Sequence, residues 1–490
     1  MKIKNLSGLK TFLFDNKTTR QTIFKNSVWL GLAEIINKVL IFVLFIYVAR
    51  ILGATEYGKF NFAIAVMYLF SILPGFVSPE IVTRELSQDK DKEKEYSDIL
   101  SLKVLLGLGG TALLIISSFF LTSDPVVRKV IWILALYNLF GAPIDILHAF
   151  FRARQRMEYE SAIKILDAVL SVAFVFFVIF KFPSIVNLSY AYLAESFVLL
   201  VVVVIFFHFK IHRLSFSWDR KIWEKIFSLS WPMALVVLIT TAYNQTDSVI
   251  MGYLGQMTEN GWYNAALRIT KLTLVPVALL SHSFFPVLSK FYREKENLQK
   301  IWDFQTKIMI ILALPLVAGG VLTAPKIINL FYGQVYAPAA LAFQILIFMV
   351  GIAFLYDTCR QALIITHQQK KLFWAVLAGA VVNVILNLIL IPRFSLYGAA
   401  WSSVIANLII LFLLVGFVIK FTTVRPLNSD ILLSFLVSGV ASGLMYLAIS
   451  WTVFAQLNVI FLILIAIVVY FGSLFVLRPF LKLNYAQIKI

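Results

Sequence analysis

The sequence predicts an all-α membrane protein: about 14 transmembrane helices forming two pseudosymmetric six-helix lobes, with two extra helices at the C-terminal end. Three observations predict it. Apolar residues make up 60 % of the chain and charged residues only 14 %, with a mean hydropathy of +0.88. About a quarter of residues are charged in soluble domains. Apolar runs of about 20 residues, enough to cross about 30 Å of hydrocarbon, recur from end to end. Two stretches 203 residues apart also nearly repeat each other: Thr55-Glu56-Tyr57-Gly58-Lys59-Phe60-Asn61-Phe62-Ala63 and Thr258-Glu259-Asn260-Gly261-Trp262-Tyr263-Asn264-Ala265-Ala266. Each follows a Leu-Gly that closes one apolar run, and each opens the next. A repeat at that spacing in a hydrophobic chain marks a transporter built from two related lobes.

The spans fall at roughly 28–50, 59–79, 100–122, 127–149, 162–181, 184–207, 228–252, 262–287, 306–325, 336–359, 372–391, 394–418, 428–450 and 454–477. This divides the chain into an N-terminal lobe over 1–207 and a cytoplasmic interfacial linker helix over 208–227. A C-terminal lobe follows over 228–418, and extra spans thirteen and fourteen over 428–477. In 217–227, Trp218, Ile222 and Ile226 share one face opposite Asp219, Lys221, Glu224 and Lys225, the pattern of a helix lying in the membrane surface. The first apolar run is too long for the core of a cleaved signal peptide and is expected to remain as span one.

The net charge of +18 does not read as a nucleic-acid footprint. With the N-terminus inside, 30 of the 43 Lys and Arg fall in inner segments and seven in outer segments or at the outer ends of spans. This is the positive-inside pattern, so both termini are expected in the cytoplasm of a multi-pass protein of the cytoplasmic membrane. The partners this implies are membrane lipids, with no nucleic acid. One cysteine, Cys359, rules out internal disulfides, and the five histidines have no ligand spacing, so no metal site or cofactor is expected. Outer loops are short and no Gly-rich phosphate loop occurs, which argues against an enzyme and against nucleotide hydrolysis.

The informative residues are polar ones inside spans, where a charge costs about 2.5–3.5 kcal/mol unless it faces water or a partner. Span one holds Glu34 and Lys38, four apart on one face; they either neutralise each other or face a wet cavity. Span seven holds Asn244, Gln245 and Asp247, and span eight holds Arg268 and Lys271, three apart and so on one face. Asp247 and Arg268 would lie at equal depth in adjacent antiparallel spans, as a locking ion pair or as part of the site. Lys271 sits deeper with no sequence-local acid. Glu195 lies near the middle of span six, whereas Asp145, Asp167 and Asp357 lie nearer inner ends and are expected to cap or pair there. Lys103, Lys164 and Lys307 are close enough to the inner face to snorkel. Pro232, Pro276 and Pro315 interrupt spans, either as hinges or as static kinks.

Several motifs resemble one family. Ala49-Arg50-Ile51-Leu52-Gly53 followed by Glu56-Tyr57-Gly58, then Arg84-Glu85, is similar to the opening of polysaccharide (O-antigen) flippases of the MATE-like multidrug/oligosaccharidyl-lipid/polysaccharide (MOP) superfamily. Asp247 before Met251-Gly252-Tyr253-Leu254-Gly255 and Trp262-Tyr263-Asn264-Ala265-Ala266 fits the same family. So does Ile391-Pro392-Arg393-Phe394 leading to Gly398-Ala399-Ala400-Trp401. The resemblance covers essentially the whole chain. It implies a two-lobed helical bundle that moves a polyprenyl-pyrophosphate-linked oligosaccharide from the inner to the outer leaflet by alternating access, for cell-surface polysaccharide synthesis. On that reading Lys38, Arg268, Lys271, Asn244 and Gln245 line a central cavity, and Glu34, Asp247 and Glu195 serve as an ion pair or in coupling. Implied partners are the lipid-linked substrate and a polysaccharide polymerase and glycosyltransferases of the same pathway, around a monomeric flippase. The alternatives are a cation-coupled small-molecule or drug antiporter of the same fold, and a lipid II flippase. The antiporters generally have acidic cavities, and the lipid II flippase relies on several arginines in its first two spans. Here span one has only Glu34 and Lys38, and the interior of span two has no charge.

Overall fold

The computed structural model describes residues 19–88, 95–451 and 457–481, with side chains from Ile36 to Pro479. The Glu34 side chain therefore lies outside the described residues. Every regular element among the described residues is helical.

Among the described residues, twelve helices are long and apolar enough to cross a membrane. Two of them carry two spans each. Thr19–Phe70 breaks at Gly53 (φ 77°) into spans one and two, and Gln369–Phe421 breaks at Ser395 (φ 52°) into spans eleven and twelve. The remaining spans are Tyr96–Leu121, Pro125–Ala153, Met157–Lys181, Ile185–Lys210, Arg220–Tyr253, Met257–Lys290, Lys295–Tyr332, Ala339–Ile365, Ser429–Ser450 and Val459–Pro479, which restores the predicted 14. Span eight is itself two helices, Met257–Leu272 and Val275–Lys290, with Pro276 opening the second. Several helix starts are capped by a side chain at the N-cap position. Asp124 Oδ1 accepts from the amides of Val126 (2.8 Å) and Val127 (3.4 Å), with Pro125 at the first helical position. Asn428 Oδ1 accepts from Ile431 N at 2.8 Å to open span thirteen.

The contacts divide the chain into two units, Met1–Gln245 and Thr246–Ile490. In the first, the helix of spans one and two packs on span five, span three on four, and span six on four and five. One end of it is an aromatic core in which Tyr96 stacks on Phe150 at 4.3 Å beside Phe151 and Phe207. The stretch before span seven docks there. Ser215 N donates to Ser97 Oγ (3.2 Å), Ser217 N to Ser101 Oγ (3.1 Å) and Trp223 Nε1 to Asp98 O (2.9 Å), while Lys225 pairs with buried Glu85 at 3.3 Å. This differs from the interfacial helix read from the pattern. Residues from Arg220 onward already belong to the helix of span seven, and Ile222, Trp223 and Ile226 pack on the protein core while Trp218 is exposed. An amphipathic face seals against protein as readily as against lipid, and the pattern alone cannot distinguish the two.

In the second unit, span ten packs on nine and on the helix of spans eleven and twelve, and span thirteen packs on nine and fourteen. Tyr470 of span fourteen donates its hydroxyl to Ile311 O of span nine at 2.6 Å. Spans eleven and twelve approach closely because residue 379 is glycine: a Cβ there would lie 2.1 Å from Ile410 Cγ1.

The sequence repeat is also a repeat of structure. Gly53 (φ 77°) and Gly255 (φ 76°) both adopt the left-handed conformation that glycine tolerates. Asn61 Nδ2 bonds Tyr57 O at 2.7 Å, and its counterpart Asn264 bonds Asn260 O at 2.9 Å. Two residues earlier, Lys59 reaches Asp124 in the loop after span three (3.2 Å), and Trp262 Nε1 reaches Val335 O in the loop after span nine (2.9 Å). A second correspondence lies 212 residues apart. Asp145 and Asp357 each sit ten residues before a non-glycine residue with positive φ, Gln155 (56°) and His367 (60°), where spans four and ten turn.

Candidate functional site

The deepest polar groups of the second unit gather around Asp247, which is 4 % exposed. Span eight supplies Tyr263, span eleven Asn387 and span twelve Ser403, and all three hydroxyl or amide groups donate to its carboxylate. Asn387 Nδ2 also donates to Asn383 Oδ1 at 3.1 Å, and both asparagines are fully buried. The repeat places Tyr263 where the first unit has Phe60, so one added hydroxyl turns an apolar contact into a carboxylate ligand. The pairing of Asp247 with Arg268 weighed from depth does not form; Asp247 takes hydroxyl and amide donors instead. Lys271 lies within electrostatic reach of both Asp247 and Arg268, and its side chain is exposed rather than packed.

Asn244 is exposed and donates to Thr240 O at 2.7 Å; Gln245 is half-buried. Lys38 is exposed and belongs to the first unit. Glu195 is 1 % exposed in span six. It faces Asp167 and Ser171 of span five, with Tyr137 near both acids, and its Oε1 has no hydrogen-bond partner among the described residues. Two carboxyl groups turned toward each other in an apolar interior are stable only with a proton or cation between them. Sequence reasoning singled out Glu195 but set Asp167 near the inner surface, because depth along one helix says nothing about which neighbour it faces.

The lysines read as snorkelling charges do something different. Lys103 is 3 % exposed and donates to Val77 O and Asp145 Oδ2, both at 3.1 Å. Lys164 pairs at 2.9 Å with Glu160, which also meets Arg152 at 3.3 Å. Lys307, 6 % exposed, pairs with Asp430 of span thirteen at 3.7 Å. The physical reason is that each has an acid on an adjacent turn or helix, which removes the need to reach water.

Asp357, expected to cap or pair, does pair, and it gathers partners that the sequence did not single out. Arg360 donates Nε (2.9 Å) and Nη2 (2.6 Å) to Asp357 Oδ1, while Gln361 Nε2 (2.7 Å) and the Ser281 hydroxyl donate to Oδ2. These residues border a cavity of about 650 Å³ between spans eight and ten. A second cavity of about 390 Å³, walled by Leu316, Ile347, Met445, Ile467 and Phe471 of spans nine, ten, thirteen and fourteen, is almost wholly apolar. Among the described residues no three His, Cys, Asp or Glu side chains gather as a metal site.

Known proteins share this architecture. A relative in Haloferax volcanii described as a probable flippase, AglR, is 26 % identical over 383 residues, covering 74 % of this chain and 76 % of that protein. A solved structure of the lipid II flippase MurJ in an inward-closed conformation superposes with a TM-score of 0.77 at 18 % identity, covering 93 % of this chain and all of that one. An inward-facing MATE-family multidrug resistance transporter of the MOP superfamily superposes with a TM-score of 0.63 at 16 % identity, covering 87 % and 99 % of the two chains. Residues 232–389 match the MatE family model, and residues 23–292, more than half of the chain, match the model described as polysaccharide biosynthesis protein. The chain is a member of the polysaccharide biosynthesis protein family, with a MOP-type membrane fold.

Proposed function

We propose that this protein is a flippase that carries a polyprenyl-pyrophosphate-linked oligosaccharide from the inner to the outer leaflet of the cytoplasmic membrane by alternating access. The observation that carries the reading is family membership over residues 23–292 together with the exposed cation Lys271 beside Arg268. A pyrophosphate is the substrate group that exposed Lys271 and half-buried Arg268 suit, because a lysine and an arginine three residues apart offer it charge-assisted hydrogen bonds. The name of the Haloferax relative, probable flippase, and that of MurJ, lipid II flippase, support transport of a lipid-linked substrate. The apolar cavity bordered by spans nine and fourteen suits a stretch of isoprenoid chain.

The energy source follows from the charge moved. A headgroup with about two negative charges travels outward along an inside-negative potential, gaining roughly 4–5 kcal/mol per 100 mV if both charges cross fully. Glu195 with Asp167, or Asp247 with its ring of oxygen-bearing side chains, supplies a place for a counter-ion or proton. The neutral asparagines and hydroxyls around Asp247 suit a singly charged cation as readily as a proton.

The test is leaflet-resolved flipping in vesicles reconstituted with the protein and the lipid-linked oligosaccharides of its host cells. Transfer to the far leaflet that depends on the protein supports the reading. Export of small cationic drugs with no movement of the lipid-linked sugar would move the protein to the antiporter class.

A further inference from the structure

The cavity between spans eight and ten has a chemistry different from that of Lys271. Its polar wall is the Asp357–Arg360–Gln361–Ser281 group, with His282 and Tyr356 beside it; Phe285, Leu274 and Val277 give it apolar surface. Asp357 is 6 % exposed and neutralises Arg360 through two hydrogen bonds. The wall therefore carries close to no net charge and holds no uncompensated cation for a phosphate. Arg360 keeps its second amino nitrogen, and its side chain is 34 % exposed.

Gln361 is the informative residue. It is fully buried, and its amide nitrogen donates to Ser281 Oγ (3.0 Å) and to Asp357 Oδ2 (2.7 Å). The carboxylate needs a donor, which fixes the amide orientation. Its carbonyl oxygen, Oε1, is left buried with no hydrogen-bond partner among the described residues. A buried acceptor without a donor costs about 1–3 kcal/mol, and such groups call for an explanation.

We infer that this cavity binds one or two neutral sugar residues of the transported glycan, with Gln361 Oε1 accepting from a sugar hydroxyl. A sugar offers hydroxyls that donate and accept in near-equal number, plus apolar C–H faces. The wall matches this: Gln361 accepts, Arg360 donates, and the Tyr356 hydroxyl and His282 do either. Phe285 supplies an aromatic surface for C–H faces. The volume of about 650 Å³ lies within the ~300–1,000 Å³ of small-molecule sites. This assignment rests on the proposed flippase function and deepens it by dividing the headgroup between two places. Lys271 takes the charge, and the cavity at Gln361 reads the glycan.

The experiment uses the full-length protein in vesicles with two carriers side by side: the lipid-linked oligosaccharide pool extracted from host cells, and bare polyprenyl pyrophosphate. The expectation is that wild-type protein flips the glycosylated carrier faster. Gln361→Met, which keeps the side-chain volume, should reduce that preference roughly tenfold, the size of one lost buried hydrogen bond, and leave the bare carrier unchanged. Tyr356→Phe, which removes only a hydroxyl, should narrow the preference in the same direction and guards against misfolding of the first variant. Equal slowing of both carriers by Gln361→Met would place the pyrophosphate, not the sugar, at this wall and overturn the inference. So would an undiminished preference in both variants, or wild-type protein that flips both carriers equally. Wild-type protein that moves neither carrier would instead remove the flippase reading itself.

Discussion

The two units share a plan and differ in how they settle their buried charges. In the first, Lys103 of span three reaches Asp145 of span four, 3.1 Å away. In the second, the corresponding span-nine lysine, Lys307, turns to Asp430 of span thirteen at 3.7 Å. Asp357, the counterpart of Asp145, is left to Arg360, Gln361 and Ser281 and borders a cavity. The additional C-terminal spans thus change the chemistry of a repeat they do not belong to. By drawing off one lysine they free an acidic position from a structural bond and allow it to organise a polar pocket. A similar divergence separates Phe60, which stacks on Tyr192 at 5.9 Å, from Tyr263, which binds Asp247. Duplicated packing is retained, and the copies part where one exchanges an apolar contact for a polar one.

The largest expected effect tests which unit carries the substrate charge. Lys271→Glu should lower flipping at least about a hundredfold, because it sets a like charge against the pyrophosphate, with membrane insertion intact. Lys38→Glu in the first unit should cost about tenfold, since Lys38 has no second cation one turn away on its helix. Flux assays of both variants at equal protein content decide the matter. Wild-type flux with Lys271→Glu would remove Lys271 from the site.

The next effect is on stability and sharpens the contrast between Asp145 and Asp357. Asp145→Asn removes the opposite charge from buried Lys103, leaving its ammonium only neutral acceptors, and should cost about 3 kcal/mol. Asp357→Asn should cost about 1 kcal/mol, since Arg360 is partly exposed to a cavity and can turn toward it. Thermal unfolding in detergent compares the two directly. Equal losses would mean that both carboxylates serve the same structural purpose.

The acids in the spans are expected to have a smaller effect, seen in coupling rather than in the potential-driven rate. With the membrane potential and pH gradient clamped separately, Asp247→Asn should remove the response to an ion gradient and retain the response to potential. Glu195→Gln reports in the same way on the pair with Asp167. If both variants keep the wild-type response to each gradient, neither acid couples. Wild-type flux that persists after both gradients collapse would leave mass action as the driving force.

Much of the fold was legible because hydrocarbon thickness sets the length of an apolar run, and because Gly53 and Gly255 punctuate the two copies of one motif. Helix continuity was less legible. At Gly53 and Ser395 the backbone leaves helical geometry for a single residue, so spans one and two, and spans eleven and twelve, are separate helices that meet at a kink. The site was legible only as single residues. Asp247, Glu195 and Lys271 stand out because charge inside a span is costly, but their partners are ordinary residues on other helices. Asn387 lies 140 positions from Asp247, and Gln361 lies 80 from Ser281. Helices apolar on every side show no periodicity from which facing positions can be read. The same blindness made Lys103 and Lys307 look like snorkelling charges.

The smallest effect concerns the ties at Lys59 and Trp262, which anchor corresponding loops by different chemistry. Burial alone would favour the neutral form of Asp124. The amides of Val126 and Val127 and the ammonium of Lys59 outweigh it and hold the carboxyl below its ordinary value. A depressed carboxylate contributes stability above the ordinary pKa of about 4, and that contribution fades as pH falls through the lower folded value. The first-unit tie should therefore loosen in acid and, being partly exposed, weaken in salt. The second-unit tie, an indole N–H to the Val335 carbonyl, has nothing to titrate and should ignore both. Asp124→Ala removes a helix cap as well as the ion pair and should cost about 1 kcal/mol. Trp262→Phe should cost about the same through one lost hydrogen bond. Hydrogen exchange at residues 122–127 and 333–338, compared at neutral pH and near pH 3, reads the two ties in one sample. Acid should speed exchange in the first loop relative to the second. Parallel behaviour of the two loops would mean that the Lys59–Asp124 pair adds nothing to the cap.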